Sequence, residues 1–275
     1  MEKILEDIKK SHRIVVKIGT STLIYPTGKV NLQRIDRLAR ILSDLANQGR
    51  EIILVSSGAV GAAKGKLKLQ NIDYDIRQKQ AIAAVGQCEL MYFYDKYFSE
   101  YNNTVAQILL TKEDIAVPRR KRNIRSTIST LLEMGIIPII NENDTVATDE
   151  LEIGDNDNLS AVAGAMMDAD LLILFSDIEG LYDSDPHINK NARLIPVIYD
   201  AESVMCAATG SVSGVGTGGM VTKLEAAKIA TNAGIHMVIA NGGKLDIIYD
   251  LLDGKPAGTI FVAKNFIDTD NPENY

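Results

Sequence analysis

The 275-residue sequence has no tryptophan, only two cysteines and three histidines, and an aromatic content of 5%. Cys88 and Cys206 stand far apart with no CxxC spacing. That excludes a disulfide framework or a cysteine-based zinc site and fits a reducing cytoplasm. His12, His187 and His236 make neither an HxxxH nor an HExxH arrangement. No apolar run approaches the roughly 20 residues a membrane span requires; the longest, such as Leu171 to Phe175, are strand-sized. The opening stretch MEKILEDIKKSHR has mixed charge and lacks the apolar core of a secretory signal. Positive excess is also missing: 29 Lys and Arg against 36 Asp and Glu leave a net charge of −7. Proteins that neutralise phosphate backbones need the opposite balance. The expectation is a cytoplasmic protein with neither nucleic acid nor membrane as partner. A small anion stays open as a ligand, since it needs only a local pocket of cations and backbone amides.

Hydrophobic residues at 46% and charged residues at 24% are ordinary globular usage. Short β-branched runs alternate with longer stretches of helical period. Strands are predicted at Arg13–Ile18, Glu51–Val55, Val105–Leu110, Ile136–Ile140, Asp170–Phe175, His236–Ala240 and Gly258–Val262. Helices are predicted from Leu32 to Gly49, over Ile76–Glu100, up to Met134, and over Leu159–Met167, Leu224–Ala233 and Leu245–Leu252. Continuous apolar strands alternating with helices mark an α/β fold, a mainly parallel sheet covered on both faces. Pro138 inside IIPII is tolerable only near a strand end or at an edge. With no linker, repeat or low-complexity block, residues 1–275 are expected to form a single domain, the polar Asp268–Tyr275 fraying at its end.

In such sheets ligands sit beyond the carboxyl ends of the strands, where four segments attract attention. Lys17 lies inside the apolar strand RIVVKIG. A buried ammonium needs an anion, and a phosphate suits it; a lysine snorkelling from an edge strand is the alternative. Ser56-Ser57-Gly58-Ala59 follows a strand with small residues, either to let amides approach a ligand or as a plain capped turn. Asn141-Glu142-Asn143-Asp144 and Gly154-Asp155-Asn156-Asp157-Asn158 hold more Asp and Asn than two turns require. They suit either Mg²⁺ or the ammonium of an amino acid; EF-hand spacing is absent. Ser213 to Met220 is a glycine-rich loop, followed by Thr222 and Lys223. Its Gly214-x-Gly216-x-x-Gly219 spacing follows no apolar strand, so a dinucleotide fingerprint is a decoy; a Walker A motif also fails. An amide-rich loop beside a lysine suits a nucleotide phosphate tail. The basic run Arg119 to Arg125 reads as a solvated helix start, and Tyr92, Phe93, Tyr94, Tyr97, Phe98 and Tyr101 as core and subunit packing. Two lysines, glycine-rich loops and paired Asp/Asn clusters together describe a phosphoryl-transfer site.

In this order, VVKIGTSTL, LVSSGAVGAA, AAVGQ, INENDTVAT, IGDNDNLSA, SDIEGLY and SGVGTGGMVTKL resemble the amino acid kinase family, and specifically its glutamate-phosphorylating branch. The resemblance implies a three-layer αβα sandwich and transfer of the ATP γ-phosphate to the side-chain carboxylate of L-glutamate. The product, L-glutamyl 5-phosphate, begins proline biosynthesis. By the same resemblance Lys17 and Lys223 stabilise the transferring phosphoryl group, with Asp157 orienting them. Ser57, Asp144 and Asn156 hold glutamate. Lys17, Ser176, Asp177, Thr217, Gly218, Gly219, Met220, Val221, Thr222 and Lys223 hold ATP. No protein metal ligand is assigned, Mg²⁺ being carried mainly by the ATP phosphates. Proline as feedback inhibitor, a homodimer or homotetramer, and coupling to glutamyl phosphate reductase are further expectations. The carboxyl-terminal PUA domain of many members is not expected here. Kinases of acetylglutamate, aspartate or uridylate are the nearest alternatives, and NENDTVA with GDNDN argues against them. A non-catalytic amino acid sensor is a further alternative, opposed by the joint presence of Lys17, Asp157 and Lys223; a nicotinamide oxidoreductase is the most distant.

Overall fold

A computed structural model describes residues 1–69, 74–146, 156–184, 189–210 and 218–266. In chain order the elements are α1 (Glu2–Lys9), β1 (Arg13–Ile18), α2 (Thr20–Leu23), α3 (Leu32–Asn47), β2 (Glu51–Ser56), α4 (Ala59–Leu67) and α5 (Ile76–Glu100). β3 (Val105–Leu110), α6 (Lys112–Ala116), α7 (Pro118–Glu133), β4 (Ile137–Glu142), α8 (Asn156–Met166) and β5 (Leu171–Ser176) follow. The last are β6 (Val197–Ile198), α9 (Ala201–Gly210), α10 (Gly218–Asn232), β7 (His236–Asn241), α11 (Ile247–Leu252) and β8 (Thr259–Phe261). The chain divides into two compact units. One is continuous, Lys17–Asn156; the other is split, Met1–Val16 with Asp157–Tyr275.

In the continuous unit the strand order is β3-β4-β2, with β4 parallel to both β3 and β2. All but the first residue of β2 and the last of β4 are buried. Since alternate side chains point to opposite faces, both faces are covered. β4 is an interior strand, yet it carries Pro138. The pairing with β2 involves Ile139 and Ile140, one residue beyond the proline, so the missing N–H falls at the strand start. Helix α5 is opened by a reciprocal capping box between Asp75 and Gln78. It buries Ile82, Ala83, Gly86, Leu90, Tyr94 and Phe98. Gly86 admits α4: a methyl group there would stand 1.7 Å from the carbonyl oxygen of Ala59.

The split unit holds β1-β5-β7-β8-β6, where β5–β7 and β6–β8 are parallel and β7–β8 is antiparallel. β5 is buried at all six positions, the mark of a strand covered on both faces. The expected mainly parallel α/β architecture is therefore met in both units. The amino-terminal stretch, which offers no strand or signal pattern, is a helix whose Ile4, Leu5 and Ile8 are buried on one face. Asp170, just before β5, ties the chain ahead of β1: its Oδ2 accepts from the backbone N–H of His12 at 2.7 Å and of Arg13 at 2.8 Å.

His236, the first residue of β7, is buried. Its Nδ1 accepts from the backbone N–H of Ala263 at 3.2 Å, so Nε2 carries the proton and faces Asp7 Oδ2 at 3.1 Å. Burial pushes the imidazole below its ordinary range, and the Asp7 carboxylate only partly opposes this. A depressed pKa means that the folded state prefers the neutral ring. Its stabilising contribution is therefore present above the ordinary value and lost as pH falls through it. The denaturation midpoint is expected to drop from about pH 7.5 to about pH 5.5, and by less in His236→Gln; equal drops in the two proteins would contradict this.

Candidate active site

In the continuous unit, β1 delivers Lys17 one residue before its end, and the side chain is only 5% exposed. Ser56 ends β2, and the chain turns at Ser57 and Gly58 into α4. Gly58 takes φ +105°, a backbone geometry that favours glycine. The Ser57 N–H donates to the Ile18 carbonyl at 3.0 Å, holding this turn beside the end of β1. β4 ends in Asn141 and Glu142, and Asp144 follows in a turn, half-buried.

Asn156 draws these segments together. Its side-chain NH₂ lies 2.7 Å from Ser57 Oγ, 3.0 Å from Asn141 Oδ1 and 3.2 Å from the Ser56 carbonyl. Three acceptors around one nitrogen fix which way the amide points. The opposite atom, Asn156 Oδ1, is buried with no hydrogen-bond partner among the described residues. A buried acceptor in that state is costly, and a ligand donor would relieve it.

In the split unit, Asp157, the second residue of α8, has no solvent exposure. Lys223 on α10 donates to its Oδ2 at 3.1 Å and to the Gly219 carbonyl at 3.0 Å. An ammonium has three hydrogens, so one remains for a ligand. Thr222 Oγ1 donates to the Gly219 carbonyl at 3.1 Å, with Asp157 Oδ2 at 3.4 Å. Helix α10 starts at Gly218 rather than near Leu224. Gly218, Gly219, Met220, Val221, Thr222 and Lys223 are thus its first turns rather than a loop. Glycine's poor helix propensity hides this start, although the first turn tolerates it. The amides there have no intrahelical acceptor and, with the helix dipole, form an anion-binding end. Thr217, the glycines before it, Gly154 and Asp155 lie outside the described residues.

At the carboxyl end of β5, Ser176 Oγ donates to Asp177 Oδ1 at 2.9 Å, and the Ser176 carbonyl accepts from Gly242 N–H at 2.7 Å. The neighbouring end of β7 adds a group that sequence reasoning missed. Asn241 Nδ2 and Lys244 Nζ each lie 3.0 Å from Glu179 Oε1, and Asn241 Oδ1 accepts from Gly243 N–H. The Asn-Gly-Gly run after an apolar strand was the available signal. Gln87 and Tyr94 were missed as polar groups, hidden in a helix that reads as core. Among the described residues no three His, Cys, Asp or Glu side chains cluster as metal ligands.

The amino acid kinase family model matches residues 12–241. A glutamate 5-kinase of Clostridium perfringens is 52% identical over 263 residues, 94% of this chain and 97% of that protein. One from Clostridium acetobutylicum is 50% identical over 265 residues, 96% and 98% of the two chains. This chain belongs to the amino acid kinase family, among the glutamate 5-kinases. A solved carbamate kinase from Giardia lamblia shares the fold, with a TM-score of 0.67 over 92% of this chain and 99% of that one, at 15% identity.

Within the amino acid kinase framework the Asp157–Lys223 pair has a thermodynamic signature. Removing one partner of a buried pair leaves the other uncompensated. Asp157→Ala is expected to destabilise by about 3 kcal/mol or more, and adding Lys223→Met to restore most of that loss. Chemical denaturation measures both; a double variant no more stable than Asp157→Ala would count against the pairing.

Proposed function

We propose that this chain transfers the γ-phosphoryl group of ATP to the side-chain carboxylate of L-glutamate, producing L-glutamyl 5-phosphate for proline biosynthesis. The observation that carries the phosphoryl-transfer reading is the buried Lys223–Asp157 pair at the start of α10, where ammonium and free helix amides adjoin. The substrate follows from about half identity to named glutamate 5-kinases along nearly the whole chain.

The nucleophile is already an anion, so no general base is needed. The obstacle is repulsion between the carboxylate and the phosphate, and fixed positive charge removes it. Lys17 and Lys223 take that role, with Asp157 holding Lys223 in place. Ser57, Asp144 and Asn156 bind glutamate, the Asn156 oxygen accepting from its ammonium. Ser176, Asp177 and Thr217 through Lys223 hold ATP, the amides at the start of α10 facing its phosphates. Mg²⁺ bound to ATP supplies charge neutralisation on the phosphate oxygens. Proline is the expected feedback inhibitor and a homodimer or homotetramer the expected assembly, in the cytoplasm. The lability of an acyl phosphate favours direct delivery to glutamyl phosphate reductase.

Acyl phosphate trapped as hydroxamate tests the reading, with L-glutamate, N-acetylglutamate and L-aspartate compared with and without proline. Product from glutamate alone supports it; no product from any acceptor, with ATP and glutamate still bound, would favour a sensor. Lys223→Ala is expected to lower kcat by about a hundredfold or more with glutamate KM little changed. A raised KM at constant kcat would remove Lys223 from the transfer step. Asp144→Ala is expected to raise glutamate KM about tenfold at similar kcat. An unaltered glutamate KM would exclude Asp144 from the acceptor's contacts.

A further inference from the structure

Helix α5 carries two buried polar side chains, seven residues and therefore two turns apart on one face. Each reaches a different segment of the continuous unit. Gln87 Oε1 accepts from Asn141 Nδ2 at 2.8 Å. That contact turns Asn141 Oδ1 the other way, where it accepts from the Glu142 N–H at 2.9 Å and from Asn156 Nδ2. Tyr94, fully buried, meets Ser56 Oγ at 2.7 Å. Ser56 Oγ donates its single hydrogen to the Ser57 carbonyl at 3.0 Å, so the phenol must be the donor to Ser56. Two hydrogen-bond chains thus leave one helix face. One runs through Asn141, whose Oδ1 accepts from Asn156 Nδ2; the other runs through Ser56 Oγ to the Ser57 carbonyl, within the two residues whose Ser56 carbonyl and Ser57 Oγ are the other acceptors of that nitrogen.

We propose that Gln87 and Tyr94 are positioning residues for the acceptor substrate: α5 sets the Ser57 turn and the Asn141 amide, and through them the direction in which the Asn156 carbonyl points. The proposal rests on the assignment of Ser57 and Asn156 to glutamate. Neither residue of α5 touches the reacting atoms. Without the Gln87 oxygen, the Asn141 Nδ2 loses its acceptor, and the amide is held only by the two donors to its Oδ1. Without the Tyr94 hydroxyl, Ser56 Oγ keeps its hydrogen for the Ser57 carbonyl but loses the donor that fixes its own position. Either change lets Asn156 turn and blurs recognition of the ammonium, while the groups assigned to ATP stay as they were.

Gln87→Met and Tyr94→Phe keep side-chain volume nearly constant, and both are made in the full chain. Each is expected to raise glutamate KM about tenfold, with kcat and ATP KM within about twofold. In an Asn156→Ala background, adding either is expected to change glutamate KM by less than about twofold, because the target of positioning is gone. Three results would overturn the proposal: an unchanged glutamate KM in both single variants, a rise in both substrate KM values with a lowered unfolding midpoint, or full effects persisting in the Asn156→Ala background. The hydrogen-bond chain is also read without turnover. Exchange of the Glu142 amide, whose N–H rests on Asn141 Oδ1, is expected to quicken in Gln87→Met, and unchanged exchange overturns the chain. A wild-type protein that forms no acyl phosphate from glutamate, yet shows the quickened exchange, refutes the substrate assignment instead.

Discussion

A carboxylate denied all solvent must be compensated, and Asp157 is compensated by Lys223. That requirement places the start of α10 against the start of α8, because both charged groups lie in the opening turns of their helices. The ammonium also holds the Gly219 carbonyl, so a turn containing two glycines becomes a defined helix end. The site therefore depends on a charge pair whose energetic justification is local order rather than net stabilisation.

The residues proposed to bind the acceptor are built on a different principle. The groups that hydrogen-bond to Asn156, and Gln87 behind them, are neutral amides, hydroxyls and backbone carbonyls. Their precision comes from mutual orientation rather than from charge. Under the proposed reaction this division is sensible: the acceptor needs direction, and the donor needs charge.

Most strands were legible because buried parallel strands are plain apolar runs. RIVVKI, VAQILL and the bounds of the long α5 emerge in the structure as read. What escaped had competing signals. α1 reads as a mixed-charge stretch without structure until its three apolar residues are placed on one helical face. α4 follows the Ser56–Ala59 turn, where a helix is expected without bounds, its run being rich in glycine and alanine. Tyr94 sits among five other aromatic residues and reads as packing, although its hydroxyl reaches Ser56. Gln87 lies within the segment AAVGQ that carries the family resemblance, but nothing local says that its oxygen meets Asn141, 54 residues away. The site residues assigned by motif lie at strand ends and helix starts; the buried groups behind them required the fold.

The continuous unit occupies one stretch of chain, while the other begins with sixteen residues and resumes only at Asp157. Synthesis proceeds from the amino terminus, and units fold as their residues emerge. Once Asn156 has left the ribosome, every partner of its amide already exists, so the continuous unit can close on itself. The opening residues of β1 have no such opportunity. Their neighbour β5, and Asp170 that fastens the backbone ahead of β1, arrive about 150 residues later. Helix α1 and the start of β1 therefore leave the ribosome long before α11 and β5, the elements of the split unit that they meet.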